Sequence, residues 1–259
     1  MADHLTIAAK AARKAGEMLK AHFGRVANIE KKADRSLVTN LDKEAERIVI
    51  DMLQAAFPAY GIIGEEGGKS AGSPRYTGGY TWVIDPLDGT HNYIRGIPVY
   101  GVSIGLMQEK EFVAGVIYMP TGDELYTAEK GGGSWKNGKK IHVSHRSLLE
   151  QCSLSYDSDL RTGPDKKINC LKELASQIFN IRMSGSSVRN LTFCAEGKVD
   201  AVIEFDDRIW DFAAGVTLVR EAGGKITDHQ GGPPDGCRGC YIATNGHLHN
   251  AIVEIIGKN

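Results

Sequence analysis

The stretch Trp82-Val-Ile-Asp85-Pro-Leu-Asp88-Gly-Thr90 reads as an apolar strand that ends in two carboxylates three residues apart. A buried strand that closes on acid needs a reason. Pro86 removes an N–H and fixes φ, so the turn is stiff and the two side chains converge instead of splaying into solvent. Converging carboxylates repel unless a cation neutralises them. Oxygen donors with no thiolate or imidazole beside them favour Mg²⁺ or a similar hard ion over zinc. Gly89 and Thr90 then offer backbone N–H groups and a hydroxyl where phosphate can be held. Taken alone, Asp85 and Asp88 are equally well read as turn-forming and capping residues.

Two further acidic ends shift that balance. Ile62-Ile-Gly-Glu65-Glu66-Gly67 is an apolar run that closes on paired carboxylates and then on a glycine that lets the chain turn sharply. An exposed acidic loop would explain it in isolation. Trp210-Asp211-Phe212 sets an acid between large apolar groups where a helix is expected to begin, with Asp211 as its N-cap. Three acidic strand or helix ends in one chain point together to a cation-binding centre.

Outward from these motifs, Leu5, Ala8, Ala12, Ala15, Leu19 and Phe23 recur at steps of three and four and predict an amphipathic helix. A second helix follows, capped by Thr39 or Asn40, striped by Ala45, Ile48, Met52, Leu53 and Ala56, and ended at Pro58. Runs rich in β-formers at 81–84, 99–106, 112–118 and 125–127, with the Asn137-Gly138 turn before 141–143, predict a mostly antiparallel sheet. From about residue 151 the pattern alternates, with helices at 167–179, 186–196, 212–221 and 247–256 and strands at 180–183, 201–204, 225–227 and 241–243. The fold class is therefore α+β over 1–150 and α/β over 151–259, joined near 147–163 in one compact unit.

Composition narrows the partners. With 31 Lys+Arg against 32 Asp+Glu, the formal net charge of -1 gives no global attraction to nucleic acid or anionic lipid, so any bound anion must be held locally. The 42% hydrophobic fraction excludes a disordered chain. Charges at Asp3, Lys10, Arg13, Lys14, Glu17 and Lys20 break up the first helix, so no signal peptide is expected, and no apolar run is long enough to span a membrane. Five cysteines, an odd and sparse set, do not make a secreted disulfide framework, and a reducing cytoplasm is the expected location. Cys237-Arg-Gly-Cys240 lacks a second Cys/His pair at zinc spacing and reads as part of a surface loop. His247 and His249 are likewise expected at the surface.

Leu37-Val-Thr-Asn-Leu-Asp42, Gly64-Glu-Glu66, Asp85-Pro-Leu-Asp-Gly-Thr90, Trp210-Asp211 and Glu221-Ala-Gly-Gly224, in this order and spacing, resemble the inositol monophosphatase family of Mg²⁺-dependent, lithium-sensitive phosphatases. The resemblance runs over nearly the whole chain and implies a layered αβαβα sandwich of the inositol monophosphatase and fructose bisphosphatase type, usually as a homodimer. It further implies that Glu65, Asp85 and the Leu87 carbonyl hold one Mg²⁺ and that Asp85, Asp88 and Asp211 hold a second, with a third, weaker ion near Glu65. Asp42 would sit by the waters of these ions, although Thr39-x-x-Asp42 also fits a capping box. Glu65 and Thr90 would orient the attacking water, and phosphate would lie on the metals and the Asp88-Gly89-Thr90 backbone. Metals suit this chemistry because a phosphate monoester dianion repels hydroxide, and both nucleophile and leaving alkoxide must be stabilised.

For the substrate, the resemblance points to Glu204, whose carboxylate can accept hydrogen bonds from vicinal hydroxyls, and to Gly185-Ser186-Ser187 as the lining of a polyol pocket. A surface acid at a strand end is the competing reading of Glu204. Lys31 or Lys32 could approach the phosphate, against the simpler reading of an exposed basic pair. The ending His91-Asn-Tyr93 is closer to the inositol monophosphatase branch than to the adenosine bisphosphate phosphatases. The expected activity is hydrolysis of a small phosphorylated polyol, foremost a myo-inositol monophosphate. The same scaffold also carries fructose-1,6-bisphosphatases, histidinol-phosphate phosphatases and regulatory protein-binding members.

Overall fold

The alanine stripe at the start of the chain forms helix α1 (His4–His22), capped by Asp3, whose carboxylate accepts the N–H groups of Leu5 and Thr6. Small buried side chains at Ala8, Ala11, Ala12 and Ala15 let it lie close against its neighbours. The computed structural model describes residues 3–25, 29–31, 37–67, 79–234 and 239–258. Lys32 and Cys237 lie outside them, as does the side chain of Lys31.

After α1 come β1 (Ile29–Lys31), β2 (Leu37–Thr39), α2 (Asn40–Ala56), β3 (Gly61–Gly64), β4 (Tyr80–Asp88) and the short α3 (Thr90–Ile94). A meander follows through β5 (Gly101–Gln108), β6 (Glu111–Met119), β7 (Glu124–Glu129), β8 (Gly133–Lys136) and β9 (Lys139–Ile141). The second half contains β10 (Ser153–Tyr156), α4 (Pro164–Ala175), β11 (Asn180–Arg182), α5 (Ser187–Ala195) and β12 (Ala201–Glu204). It ends with α6 (Ile209–Glu221), β13 (Lys225–Thr227), β14 (Tyr241–Thr244) and α7 (His249–Gly257).

Two large sheets result, one in the order β3-β4-β5-β6-β7-β8-β9 and one in the order β11-β10-β12-β14-β13, besides the small β1-β2 pair. The first sheet is antiparallel except for the parallel β3–β4 pair. The second is mixed, parallel across β11-β10-β12 and antiparallel on to β14 and β13. Asn137 and Gly138 both take positive φ, the conformation a two-residue hairpin turn demands, so that signal sets the β8–β9 register.

Period-two alternation builds the layers. Trp82 and Ile84 face the core formed with α1 and α2, whereas Val83 between them faces α5 and α6. The α5–α6 layer fills the space between the sheets, with Phe212 reaching Phe112 on one side and Tyr241 on the other. Helices α4 and α7 cover the outer face of the second sheet through Leu174, Ile252 and Ile256. The order is thus α, β, α, β, α, the sandwich expected from the resemblance.

Several boundaries differ from the sequence reading. The stretch 147–163, read as a junction, contains β10. Helix α4 begins at Pro164 instead of residue 167, because proline suits the first helical turn. Helix α6 begins at Ile209, so Asp211 is not the N-cap but the third helical residue. His249 is not a surface residue: it is 1% exposed, with Nε2 on Thr227 Oγ1 at 2.9 Å and Nδ1 on Thr244 Oγ1 at 3.0 Å. Among the described residues no helix is long and apolar enough to cross a membrane.

Candidate functional site

Strand β4 is longer than its apolar part predicts and carries both aspartates inside the sheet. Asp85 pairs with Ser103 and Asp88 with Gly101, and the register shifts between them. Pro86, with no N–H to give the ladder, sits in this irregularity. Leu87 N–H turns instead to Asp85 Oδ1 at 3.0 Å. Both carboxylates therefore stay on one local bend, with Asp85 1% and Asp88 6% exposed.

Asp211 reaches them from the first turn of α6, where its Oδ2 accepts Arg208 N–H at 2.5 Å. Carboxylate oxygens of Asp85, Asp88 and Asp211 lie within 4.8 Å of one another. Among the described residues no lysine or arginine forms a salt bridge with any of the three. Burial, then the charges of Glu65, Asp88 and Asp211, holds the Asp85 carboxyl well above the usual range. Asp88 is pushed up to about 7, chiefly by burial and against hydrogen bonds that favour its ionised form. Burial and neighbouring Asp207 raise Asp211. Such a cluster is stable as carboxylates only with a cation among them, and its all-oxygen donor set fits a hard divalent ion.

Glu65 stands at the end of β3 and its charge is felt by all three aspartates, although the close trio does not include it. Asp42 is fully buried and closes the expected capping box: its Oδ2 accepts Thr39 N–H at 2.9 Å and Thr39 Oγ1 at 2.6 Å. Its Oδ1 lies 3.1 Å from Thr90 Oγ1, which is also 2.9 Å from the Leu87 carbonyl. One hydroxyl proton serves two acceptors, so Thr90 ties α2 to the β4 bend. Gly89 takes φ 79°, and a Cβ there would meet Val99 O at 2.7 Å, so only glycine fits.

Helix α5 aims its first turn at Asp88. Ser186 is its N-cap, accepting Arg189 N–H while its hydroxyl donates to Asp88 Oδ2, and Val188 N–H lies 3.4 Å from Asp88 Oδ1. Asn92 Nδ2 pins the preceding loop through the carbonyls of Ser184 at 2.9 Å and Gly185 at 3.2 Å. Gly185, Ser186 and Ser187 thus line the cleft, and Ser186 also acts on a metal-type carboxylate.

Asp88 and Asp211 also line a recess of about 190 Å³, together with Glu204, Asn190, Asp157 and Asp207. It shares Ser158, Asp159 and Gly185 with a wider opening of about 800 Å³ that is lined by Glu65, Gly89 and Thr90. Glu204 is 3% exposed, which removes the surface-acid reading, and it accepts Asn190 Nδ2 at 2.9 Å. Burial and then Asp157 raise its pKa well above the usual range. Buried Lys167 braces the walls, with Nζ 2.7 Å from Asp157 Oδ2, 2.7 Å from Asp159 O and 2.8 Å from Asp206 Oδ2.

Asp157, Asp207 and Asn190 escaped the sequence reading. For the two acids only a faint signal existed: Asp157 directly follows β10, whose Ser-Leu-Ser-Tyr is not an apolar run, and Asp207 stands three residues past the apolar strand β12. Asn190 had none, being one polar residue on a helix. The surface expectation for His247 holds, and Phe212, with Trp210 packed beside it, anchors the helix that carries Asp211.

A five-layer sandwich with a buried carboxylate cluster beside a polar cleft defines a class of metal-dependent hydrolases, and comparison with known proteins narrows it. The chain belongs to the inositol monophosphatase family, whose model matches residues 1–259. It is 36% identical over 258 residues to an inositol-1-monophosphatase of Rhizobium meliloti, covering 98% of this chain and 96% of that protein. It is also 36% identical over 260 residues to a fructose-1,6-bisphosphatase/inositol-1-monophosphatase of Aquifex aeolicus, covering 98% and 96%. The crystal structure of the extragenic suppressor protein SuhB from Bartonella henselae superposes with a TM-score of 0.93 at 35% identity, covering 98% of each chain.

Proposed function

We propose that this phosphoric monoester hydrolase acts on myo-inositol monophosphates, releasing inositol and inorganic phosphate. The observation that carries the reading is the convergence of Asp85, Asp88 and Asp211 within 4.8 Å, without a basic partner among the described residues, beside a polar recess. In this reading Asp85, Asp88, Asp211, Glu65 and the Leu87 carbonyl hold two or three magnesium ions. Magnesium, when bound, would supply positive charge to the phosphoryl oxygens and to the leaving oxygen, and would make its bound water more acidic than bulk water.

The chain's own groups do the rest. Glu65 accepts the proton of the attacking water, and Thr90, its hydroxyl steered by Asp42 and Leu87 O, fixes that water's direction. Gly89 and Thr90 line the opening where the phosphoryl group lies. Glu204, steadied by Asn190, accepts hydrogen bonds from hydroxyls of the polyol in the recess, with Gly185, Ser186 and Ser187 along its side. A homodimer follows from the family resemblance. The near-neutral charge supports a small-molecule substrate in place of nucleic acid, and the sparse cysteines support the cytoplasm.

Phosphate release from inositol 1-phosphate, fructose 1,6-bisphosphate and histidinol phosphate, with Mg²⁺ and with EDTA, tests the reading. Mg²⁺-dependent preference for the inositol ester is expected. Preference for the bisphosphate, which the name of the Aquifex aeolicus relative makes the second reading, would overturn the substrate and leave the metal chemistry. Release undiminished by EDTA would overturn both.

A further inference from the structure

Helix α2 buries two carboxylates on one face. Asp42 is accounted for by its cap and by Thr90, and Glu46 stands one turn further on, 5% exposed, while Lys43, Glu44 and Arg47 face outward. A carboxylate at a core position of an amphipathic helix is costly unless it is hydrogen-bonded. Glu46 Oε2 accepts the backbone N–H of Glu66 at 2.7 Å. It also packs on the bare Cα of Gly64: a Cβ there would lie 2.8 Å from Oε2, 2.9 Å from Cδ and 3.1 Å from Oε1. Gly64 pairs in parallel with Ile84, the residue before Asp85. The carboxylate therefore grips the chain on both sides of Glu65, at the level of the sheet where the β4 aspartates begin.

From this geometry we propose that Glu46 is a positioning residue: it clamps the end of β3 from beneath and thereby aims Glu65 at the Asp85–Asp88–Asp211 cluster. Gly64 is the complementary half of the clamp, since any side chain there would displace the carboxylate. Glu46 itself touches neither substrate nor reacting atoms. The inference rests on the assignment of Glu65 to metal binding and water activation.

The test measures Mg²⁺ binding by titration calorimetry on metal-stripped protein, together with phosphate release and thermal melting in EDTA. The panel is wild type, Glu65→Gln, Glu46→Ala, Glu46→Gln and Gly64→Ala. Glu46→Ala and Gly64→Ala are expected to weaken Mg²⁺ binding and activity roughly 10- to 100-fold, the usual effect of losing a residue that orients a ligand. Glu46→Gln keeps an acceptor oxygen and is expected to recover to within about threefold of wild type, a rescue that loss of packing would not give. Should Glu46→Ala fail to fold, Gly64→Ala carries the test with the carboxylate intact. Wild-type Mg²⁺ affinity in a folded Glu46→Ala, or in Gly64→Ala, would overturn the clamp while loss in Glu65→Gln upholds the role of Glu65. Wild-type binding and activity in Glu65→Gln would overturn that role and the clamp's purpose with it.

Discussion

The two halves of the cleft are both lined with carboxylates, yet they are built differently. On the Asp85 side, acids from β4 and α6 crowd within 4.8 Å with no basic partner among the described residues. In the adjoining recess, Asp157 is neutralised by Lys167 and Glu204 is steadied by the amide of Asn190, while Asp207 has no salt-bridge partner among the described residues. The first arrangement is neutralised by protons in the metal-free chain or by an external cation, and the second is balanced by an internal lysine at Asp157 alone. Buried acid alone does not mark a metal centre; what marks the first side is three carboxylates whose oxygens converge without an internal counter-charge.

That contrast can be broken by substitution on either side. Asp88→Asn removes a carboxylate from the unpartnered cluster while keeping its volume, and is expected to lower turnover on inositol 1-phosphate by about 10⁴-fold with the circular dichroism spectrum intact. Near-wild-type turnover would mean that the cluster is not the reaction centre. Lys167→Met attacks the balanced side: it strands Asp157 in a buried position and should cost about 3–5 kcal/mol of stability, read by denaturant unfolding. A loss below about 1 kcal/mol would show that Asp157 does not depend on this lysine.

Glu204→Gln sharpens the comparison further, because it should leave Mg²⁺ activation unchanged while lowering kcat/KM for inositol 1-phosphate by roughly 10- to 100-fold, the scale of one hydrogen bond to a charged group. An equal loss on every ester tested would place Glu204 outside substrate selection. The smallest effect is one of pH. Burial raises Asp88 from its ordinary 3.8 to about 7, so between those values the metal-free folded chain holds more protons than the unfolded one. The Asp88 contribution to stability then falls as pH rises through that window, whereas buried His229 and His249, lowered to about 4, contribute in the opposite direction. The Asp88 part is isolated by comparison with Asp88→Asn: in EDTA the melting temperature of wild type relative to that variant is expected to drop by several degrees between about pH 5 and pH 8, and Mg²⁺ should recover more of it at the higher pH. The same pH dependence in both proteins would contradict the unpartnered cluster.

How much of this was legible in the sequence follows the same division. Asp85 and Asp88 could be read because the bend that joins them is local, and Pro86 announces it. The capping box of Thr39 and Asp42 is equally local and forms as expected. Asp211 was recognised as significant but misplaced as an N-cap. Ile209 and Trp210 carry no helix-start signal, and the cap position falls to Arg208, which offers no side-chain hydrogen bond of the usual kind. The recess was the hard part. Asp157, Asn190, Glu204 and Asp207 come from the ends of β10, α5 and β12, and only the parallel β10–β12 pairing and the seat of α5 on β12 bring them together. His249 misled for a similar reason, since its partners Thr227 and Thr244 arrive from two different strands.

The central claim is that the unpartnered cluster binds Mg²⁺ and that this binding drives ester hydrolysis. Its most direct test is a calorimetric Mg²⁺ titration of the metal-stripped protein, with phosphate release from inositol 1-phosphate followed on the same samples, for wild type and Asp85→Asn. The account predicts that occupancy and activity rise together in wild type and that Asp85→Asn loses both. Full activity without Mg²⁺, or unchanged Mg²⁺ binding in Asp85→Asn, would contradict it.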